Sequence, residues 1–292
     1  MLVGAFFSVL AVDQAFESLH WSPVAASTAG LLTAVASGAA LAAVLAFVTI
    51  QLRANPIIAG MAINIFAIGL TTFLFNTIFG FGGTPTSLPG IPGAHFPAFN
   101  VGPVHLASLS AIKPLSLGYV LFRQNPVVYI AILAAILFQI LLFRTKYGLR
   151  LRSSGENPVA AQSAGVRVRP LRYGAVTLSG ALAGLGGSLL VLNGSPPIFT
   201  PDITQGQGFI ALAAVIVGRW TPLGALGACL VFGFGEALSV NIAEPVIGGF
   251  QVTDNLLAMI PYLVAIILAV GIVPASRAPA SVGIPFDPKA TV

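Results

Sequence analysis

The sequence predicts an all-α polytopic membrane protein, a bundle of about eight apolar segments, some of them broken or re-entrant. Three observations carry that expectation. Hydrophobic residues make up 57% of the chain and charged residues only 7%, where a soluble domain carries about 25% charge. The apolar residues run in long stretches and do not alternate with polar ones as the strands of a lipid-spanning barrel would. In lipid, such stretches satisfy their own backbone only as helices. Finally, the starts of several stretches carry a capping side chain followed by proline.

The first run, Met1–Val12, has 12 residues, about 18 Å as a helix against a hydrocarbon core of roughly 30 Å. Asp13, Gln14 and Glu17 follow at once, so it cannot lengthen without burying charge. Runs at 23–50, 56–79, 126–143 and 173–192 come close to or exceed the roughly 20 residues a span needs. The run 205–218 has 14 and is expected to be broken or re-entrant. Runs at 222–240 and 255–273 complete the set.

Ser22-Pro23, Asn55-Pro56, Asn125-Pro126, Asn157-Pro158 and Thr221-Pro222 mark helix starts. In each, a side-chain oxygen takes an orphan N–H, and proline at the first helical position gives up no bond it would have made. Small residues recur four apart at Gly38, Ala42 and Ala46, at Gly180, Gly184 and Ser188, and at Gly224 and Ala228. Such stripes let helix backbones approach closely in lipid.

Lysine and arginine set orientation. Seven of the 13 basic residues, from Arg144 to Arg172, lie in the loop 144–172, with Glu156 its only acid. That loop is expected in the cytosol, together with Arg53, Arg219, both termini and the tail 274–292. The loop 80–125, rich in glycine and proline, is then a periplasmic cap, either a connector or a docking surface. The net charge of +5 is thus a topology signal, and no nucleic acid partner is expected. One cysteine and three histidines without ligand spacing suggest no metal.

Polar groups inside lipid are costly. Gly60, Asn64, Ala67 and Thr71 share a helix face, which either edges a solute pathway or packs on a neighbour. Gln205 and Gln207 open the short segment, and irregular segments are tolerated where they line a cavity, so they are candidates for substrate contact. Glu236 stands inside an apolar run, as an interfacial or paired acid or as a pathway residue.

Residues 155–165 read as a helix of about two turns, capped by Asn157, started at Pro158 and stopped by Gly165. A helix that short is marginal alone, so it packs either on its own bundle or on another protein.

Gly155-Glu156-Asn157-Pro158, Ala160-Ala161 and Ala164-Gly165-Val166, followed by Ser179-Gly180-Ala181-Leu182-Ala183-Gly184-Leu185-Gly186-Gly187, resemble the permease subunits of ABC importers. The branch is the one serving branched-chain amino acids, simple sugars and nucleosides. Leu52-Arg53-Ala54-Asn55-Pro56, the stretch from Gly206 through Trp220-Thr221-Pro222-Leu223-Gly224, and the tail from Arg277 to Gly283 agree. The last two look most like nucleoside or simple-sugar permeases.

The resemblance implies a single permease domain over 1–292 with a bundle of the cobalamin-importer type, in the bacterial inner membrane. The helix from Pro158 would be a coupling helix seated on a separate cytosolic ATPase. Gly155, Glu156, Asn157, Pro158, Ala160, Ala161, Ala164 and Gly165 would form that contact, with polar rim contacts from Glu156 and nearby arginines. A second permease, expected to be a different chain, and a periplasmic or lipid-anchored solute-binding protein would complete the importer. It also implies that Met1-Leu2-Val3-Gly4-Ala5-Phe6 occupies a position internal to similar permeases. On that view Met1–Val12 is a stub beside an open groove.

No phosphate-binding Gly-x4-Gly-Lys loop exists around Lys113, Lys146 or Lys289, so ATP and magnesium belong to the partner ATPase. No catalytic residue is expected. An ion-coupled secondary transporter, the main rival, would want several buried acids or histidines, and the runs hold Glu236 alone. A branched-chain amino acid permease is the nearer alternative; a nucleoside or simple sugar is the expected solute.

Overall fold

The computed structural model describes residues 1–18, 20–80, 126–192, 199–201, 203–241, 246–247, 250–251, 259, 263 and 278–284. Among them the helices are α1 (Leu2–Asp13), α2 (Pro23–Ala46), α3 (Pro56–Ile78), α4 (Pro126–Arg144), α5 (Lys146–Glu156), α6 (Pro158–Ser163), α7 (Val168–Leu192), α8 (Gln207–Val217) and α9 (Pro222–Asn241). Single π-helical stretches, Gln14–Ser18 and Phe47–Gln51, extend α1 and α2. The exception to the helical fold is a short antiparallel pair, β1 (Val246–Ile247) with β2 (Phe250–Gln251).

Among the described residues, three helices are long and apolar enough to cross a membrane: α2 with its extension (Pro23–Gln51), α3 and α7. The bent pair α4–α5 adds a fourth if it counts as one span, while α1, α8 and α9 are apolar but shorter. The run expected at 255–273 and the loop 81–125 fall outside the described residues, apart from Met259 and Leu263.

The cap-proline signals do what their chemistry requires. Ser22 Oγ accepts from the Ala25 N–H at 3.4 Å, Asn55 Oδ1 from Ile57 at 2.9 Å, Asn157 Oδ1 from Ala160 at 3.0 Å and Thr221 Oγ1 from Gly224 at 3.2 Å. Asn125 lies outside the described residues.

The core sits where α1, α2 and α7 meet. The stripe Gly38, Ala42, Ala46 of α2 and the stripe Gly180, Gly184, Ser188 of α7 are each other's partners. A Cβ on Gly38 would sit 2.9 Å from the Cα of Gly184, and one on Gly4 of α1 would sit 2.5 Å from the same atom. Three backbones therefore converge on Gly184. Only hydrogen side chains allow this, and the close approach supplies the dispersion contact that holds helices together in lipid.

Around this point Phe6, Val9, Val12, Val191, Leu192 and Phe199 form the main apolar cluster. Phe199 stacks edge-on to Phe6 at 5.6 Å and tilted to Phe75 of α3 at 5.5 Å. The short first helix is thus the most enclosed one, packed between α2 and α7 and touching α3. The open groove expected beside it is not seen on these sides. Its small residues, Gly4, Ala5 and Ser8, let it sink between its neighbours, a pattern masked in the sequence by its short length.

The hairpin α8–α9 has its own small cluster, Ala214, Ala228 and Phe232. Its elbow is closed by Gly218 and Gly224, where a Cβ on Gly224 would come 2.6 Å from Thr221 Oγ1.

Candidate functional site

The loop 144–172 is built by a sharp turn of the chain. Between α4 and α5 the axis bends by 76°. Thr145 holds the bend from both sides: its hydroxyl donates to the Leu141 carbonyl at 2.5 Å and accepts from the Gly148 N–H at 3.2 Å. Gly148 is needed here, because a Cβ would sit 2.5 Å from the Leu142 carbonyl carbon. The Arg152 guanidinium lies 4.5 Å from the Phe143 ring centre, a cation–π contact across the bend. α5, with Lys146, Arg150 and Arg152 exposed, is polar enough to lie at the surface of the bundle.

At Asn157-Pro158 the helical path breaks and α6 begins. It ends in a Schellman closure: Gly165, at φ 83°, donates to Gln162 at 2.9 Å and Val166 donates to Ala161 at 3.0 Å. The accompanying apolar contact is present, with Ala161 buried against Val166 and against Val168 at the start of α7. Ala160 and Ala164 are exposed, as are Glu156, Gln162 and Ser163. One face of α6 is therefore committed to its own bundle, and the other is an exposed small-residue surface. The three alanines expected to act alike divide between these faces.

The break leaves carbonyls unserved. Pro158 has no N–H for the Ser154 carbonyl, its helical partner four residues back. Arg172 of α7 supplies it, Nη2 donating at 2.8 Å. The Gly155 carbonyl is taken by Ser281 of the tail, through its N–H at 3.0 Å and through its hydroxyl. Neither Arg172 nor Ser281 had been singled out for this contact. The missing proline N–H announced that a donor was needed; nothing local named which one.

The tail also reaches α3. A Cβ on Gly283 would lie 3.6 Å from Ile57 Cδ1. The amino end of α3, beside Arg53, and the end of α5 thus share one face of the protein. The Leu223 N–H, donating to Gln139 Oε1 of α4 at 3.5 Å, ties the start of α9, beside Arg219, to α4 near the same bend.

Of the intramembrane polar residues, the structure brings two together. Gln207 Nε2 donates to Glu236 Oε1 at 3.4 Å, joining the start of α8 to the later part of α9. Gln205 precedes them at φ 38° and Gly206 at φ 76°, a left-handed pair that a non-glycine residue enters only at a cost. Thr71 is buried and its hydroxyl donates to the Ala67 carbonyl of its own helix at 2.8 Å. Asn64 is exposed on α3.

A family model described as branched-chain amino acid transport system / permease component matches residues 1–273. The guanosine ABC transporter permease protein NupQ of Bacillus subtilis is 36% identical, over 98% of this chain and 85% of its own. The nucleoside ABC transporter permease protein NupC of Lactococcus lactis subsp. cremoris is 34% identical, over 92% of this chain and 79% of its own. TsgC13 of Haloferax volcanii, an ABC transporter permease protein named for glucose, is 36% identical over 82% of this chain and 66% of its own. No solved structure matches the chain.

Proposed function

The chain belongs to the family of branched-chain amino acid transport system permease components, and from this premise we propose that it lines the solute pathway of an ATP-driven importer for a nucleoside. A separate cytosolic ATPase binds ATP and magnesium and does the hydrolysis; this chain does no covalent chemistry. α6 is the coupling helix, and the observation that carries the reading is its division of faces. Ala161 anchors it inward, while Ala160 and Ala164, rimmed by Glu156, form a shallow apolar seat for a groove on the ATPase.

The concentration of basic residues around this loop supports a cytosolic location for it and for both termini, in the inner membrane. A bundle of about eight membrane segments, similar to the cobalamin-importer type, accommodates the chain as one permease domain. A second, different permease and a periplasmic or lipid-anchored binding protein complete the transporter.

The pathway runs past Gln207 and Glu236, with Gln205, Asn64 and Thr71 along its edge. Gln207 opens a helix of 11 residues, so it stands about 16 Å from the Arg219 elbow, near the middle of a hydrocarbon core of roughly 30 Å. An amide beside a carboxylate offers donors and acceptors to a neutral, hydroxyl-rich solute. The names of NupQ and NupC favour a nucleoside, that of TsgC13 a simple sugar.

Uptake of labelled guanosine, a pentose and leucine by cells carrying the whole transporter tests this. Fastest uptake of guanosine is expected, and abolition of uptake when the ATPase gene is deleted. Transport of leucine alone overturns the substrate, and uptake that survives loss of the ATPase overturns the class.

A further inference from the structure

The described part of the tail, residues 278–284, forms no helix or strand, yet it is folded. The Val282 N–H donates to Pro279 at 3.1 Å and the Ile284 N–H to Ser281 at 3.3 Å. These are two consecutive turns sharing Ser281 and Val282, and the second places Gly283 at φ 75°, the left-handed position that glycine fills without strain. Such a segment has no core of its own. Its shape is explained by what it touches at each end.

At one end Ser281 takes the Gly155 carbonyl with both its N–H and its hydroxyl. Pro279 lies beside the same residue, its Cβ 3.6 Å from where a Cβ on Gly155 would stand. Gly155 is the last residue but one of α5, two residues before Asn157, which caps α6. At the other end Gly283 rests on Ile57, in the first turn of α3. The segment therefore spans from the root of α6 to the root of α3.

We propose that the turn Pro279–Ile284 is a strap that transmits movement of α6 to the amino end of α3, with Ser281 as its positioning residue. This rests on α6 being the coupling helix. Movement of α6 already reaches α7 through Ala161, Val168 and Arg172. The strap adds a second route, to the helix that carries Asn64 and Thr71. With the strap cut, the ATPase still closes and α7 still responds, but α3 follows less faithfully, so less solute moves for each ATP consumed.

The test uses the complete transporter in proteoliposomes, with solute uptake and ATP hydrolysis measured together. Ending the chain after Arg277 is expected to lower uptake per ATP by on the order of thirtyfold, since two hydrogen bonds and a packed contact go together. Ser281→Ala, which loses the hydroxyl alone, is expected to lower it about fivefold, one hydrogen bond's worth. Ser281→Thr restores it. Unchanged uptake per ATP in both the truncation and Ser281→Ala overturns the strap.

Ala160→Glu separates this failure from failure of the coupling assignment. If it blocks uptake while the strap variants transport normally, only the strap is wrong; if it too transports normally, the coupling helix itself is misassigned. Should the truncated chain not assemble, Ser281→Ala decides, together with a proximity measurement. Gly155→Cys with Pro279→Cys, in a Cys229→Ser background, is expected to form a disulfide in membranes, the 3.6 Å separation lying within the range a disulfide requires. No cross-link overturns the contact.

Discussion

Where α1, α2 and α7 meet, backbone touches backbone: Gly4 and Gly38 both press on Gly184. Where α8–α9 meets the rest, α9 packs on α4, with a 3.5 Å hydrogen bond from Leu223 to Gln139, while toward the trio the Met1 sulfur stands 3.9 Å from where a Cβ on Gly208 would be. Glycine is common in both regions and does opposite things. In α7 it is a seam. In α9, Gly227 and Gly233 meet nothing within 4 Å, so nothing among the described residues requires their smallness. Among the described residues the difference separates a trio joined backbone to backbone from a hairpin that meets it lightly. The loop that carries α6 belongs to the trio, because Ala161 and Arg172 anchor it on α7.

The largest effect should come from the seam. Gly184→Leu drives a side chain into the backbones of Ala34 and Gly38, and is expected to cost about 3 kcal/mol or more. It should abolish a monodisperse peak on detergent extraction. Gly233→Leu, with nothing among the described residues to meet, should keep the peak and leave the stability within about 1 kcal/mol of the parent. Equal damage from the two would erase the distinction.

Next in size are the two faces of α6. Ala161→Glu buries a carboxylate without a partner and should destabilise the loop by about 2–3 kcal/mol, seen as faster hydrogen exchange from 158 to 168. Ala160→Glu should leave exchange unchanged and still block transport. If both act only on stability, the outward face has no partner.

Smaller again is the hairpin elbow, where Arg219 and Trp220 stand at φ 55° and 58°. Arg219→Gly relieves the left-handed strain and should raise the stability of the hairpin by about 1 kcal/mol. The smallest effect is expected from Gln139→Ala. Loss of a long hydrogen bond should cost about 0.5 kcal/mol, read as faster exchange at Leu223 with none at Gly184. Faster exchange at Gly184 as well would mean that hairpin and trio are one body.

Much of this architecture was legible because its causes are local. A serine, asparagine or threonine before a proline needs only its own next few residues to form a cap, and the four described caps formed. The stripes of α2 and α7 were readable as packing faces, and they proved to face each other. What was not legible depended on distance along the chain. Length alone made Met1–Val12 look peripheral, while its enclosure arises from Gly4 meeting Gly184, 180 positions later. The tail motif was visible as a resemblance, but that Ser281 serves the carbonyl of Gly155 is a fact of folding that neither segment encodes alone. Gln207 and Glu236 were each noticed singly; only the hairpin made them a pair.

The 76° bend between α4 and α5 has a mechanical meaning. α5 has 11 residues, an arm of about 16 Å with α6 at its tip. Thr145, Gly148 and the Arg152–Phe143 contact stiffen the corner, so the arm cannot simply fold. A thrust at the tip would act as a torque on α4. Turning the arm by about 10° carries its tip roughly 3 Å, and the same rotation tilts the long helix standing above it. In this geometry a small push at the surface becomes a sideways sweep at the far end of α4, with Thr145 as the fulcrum.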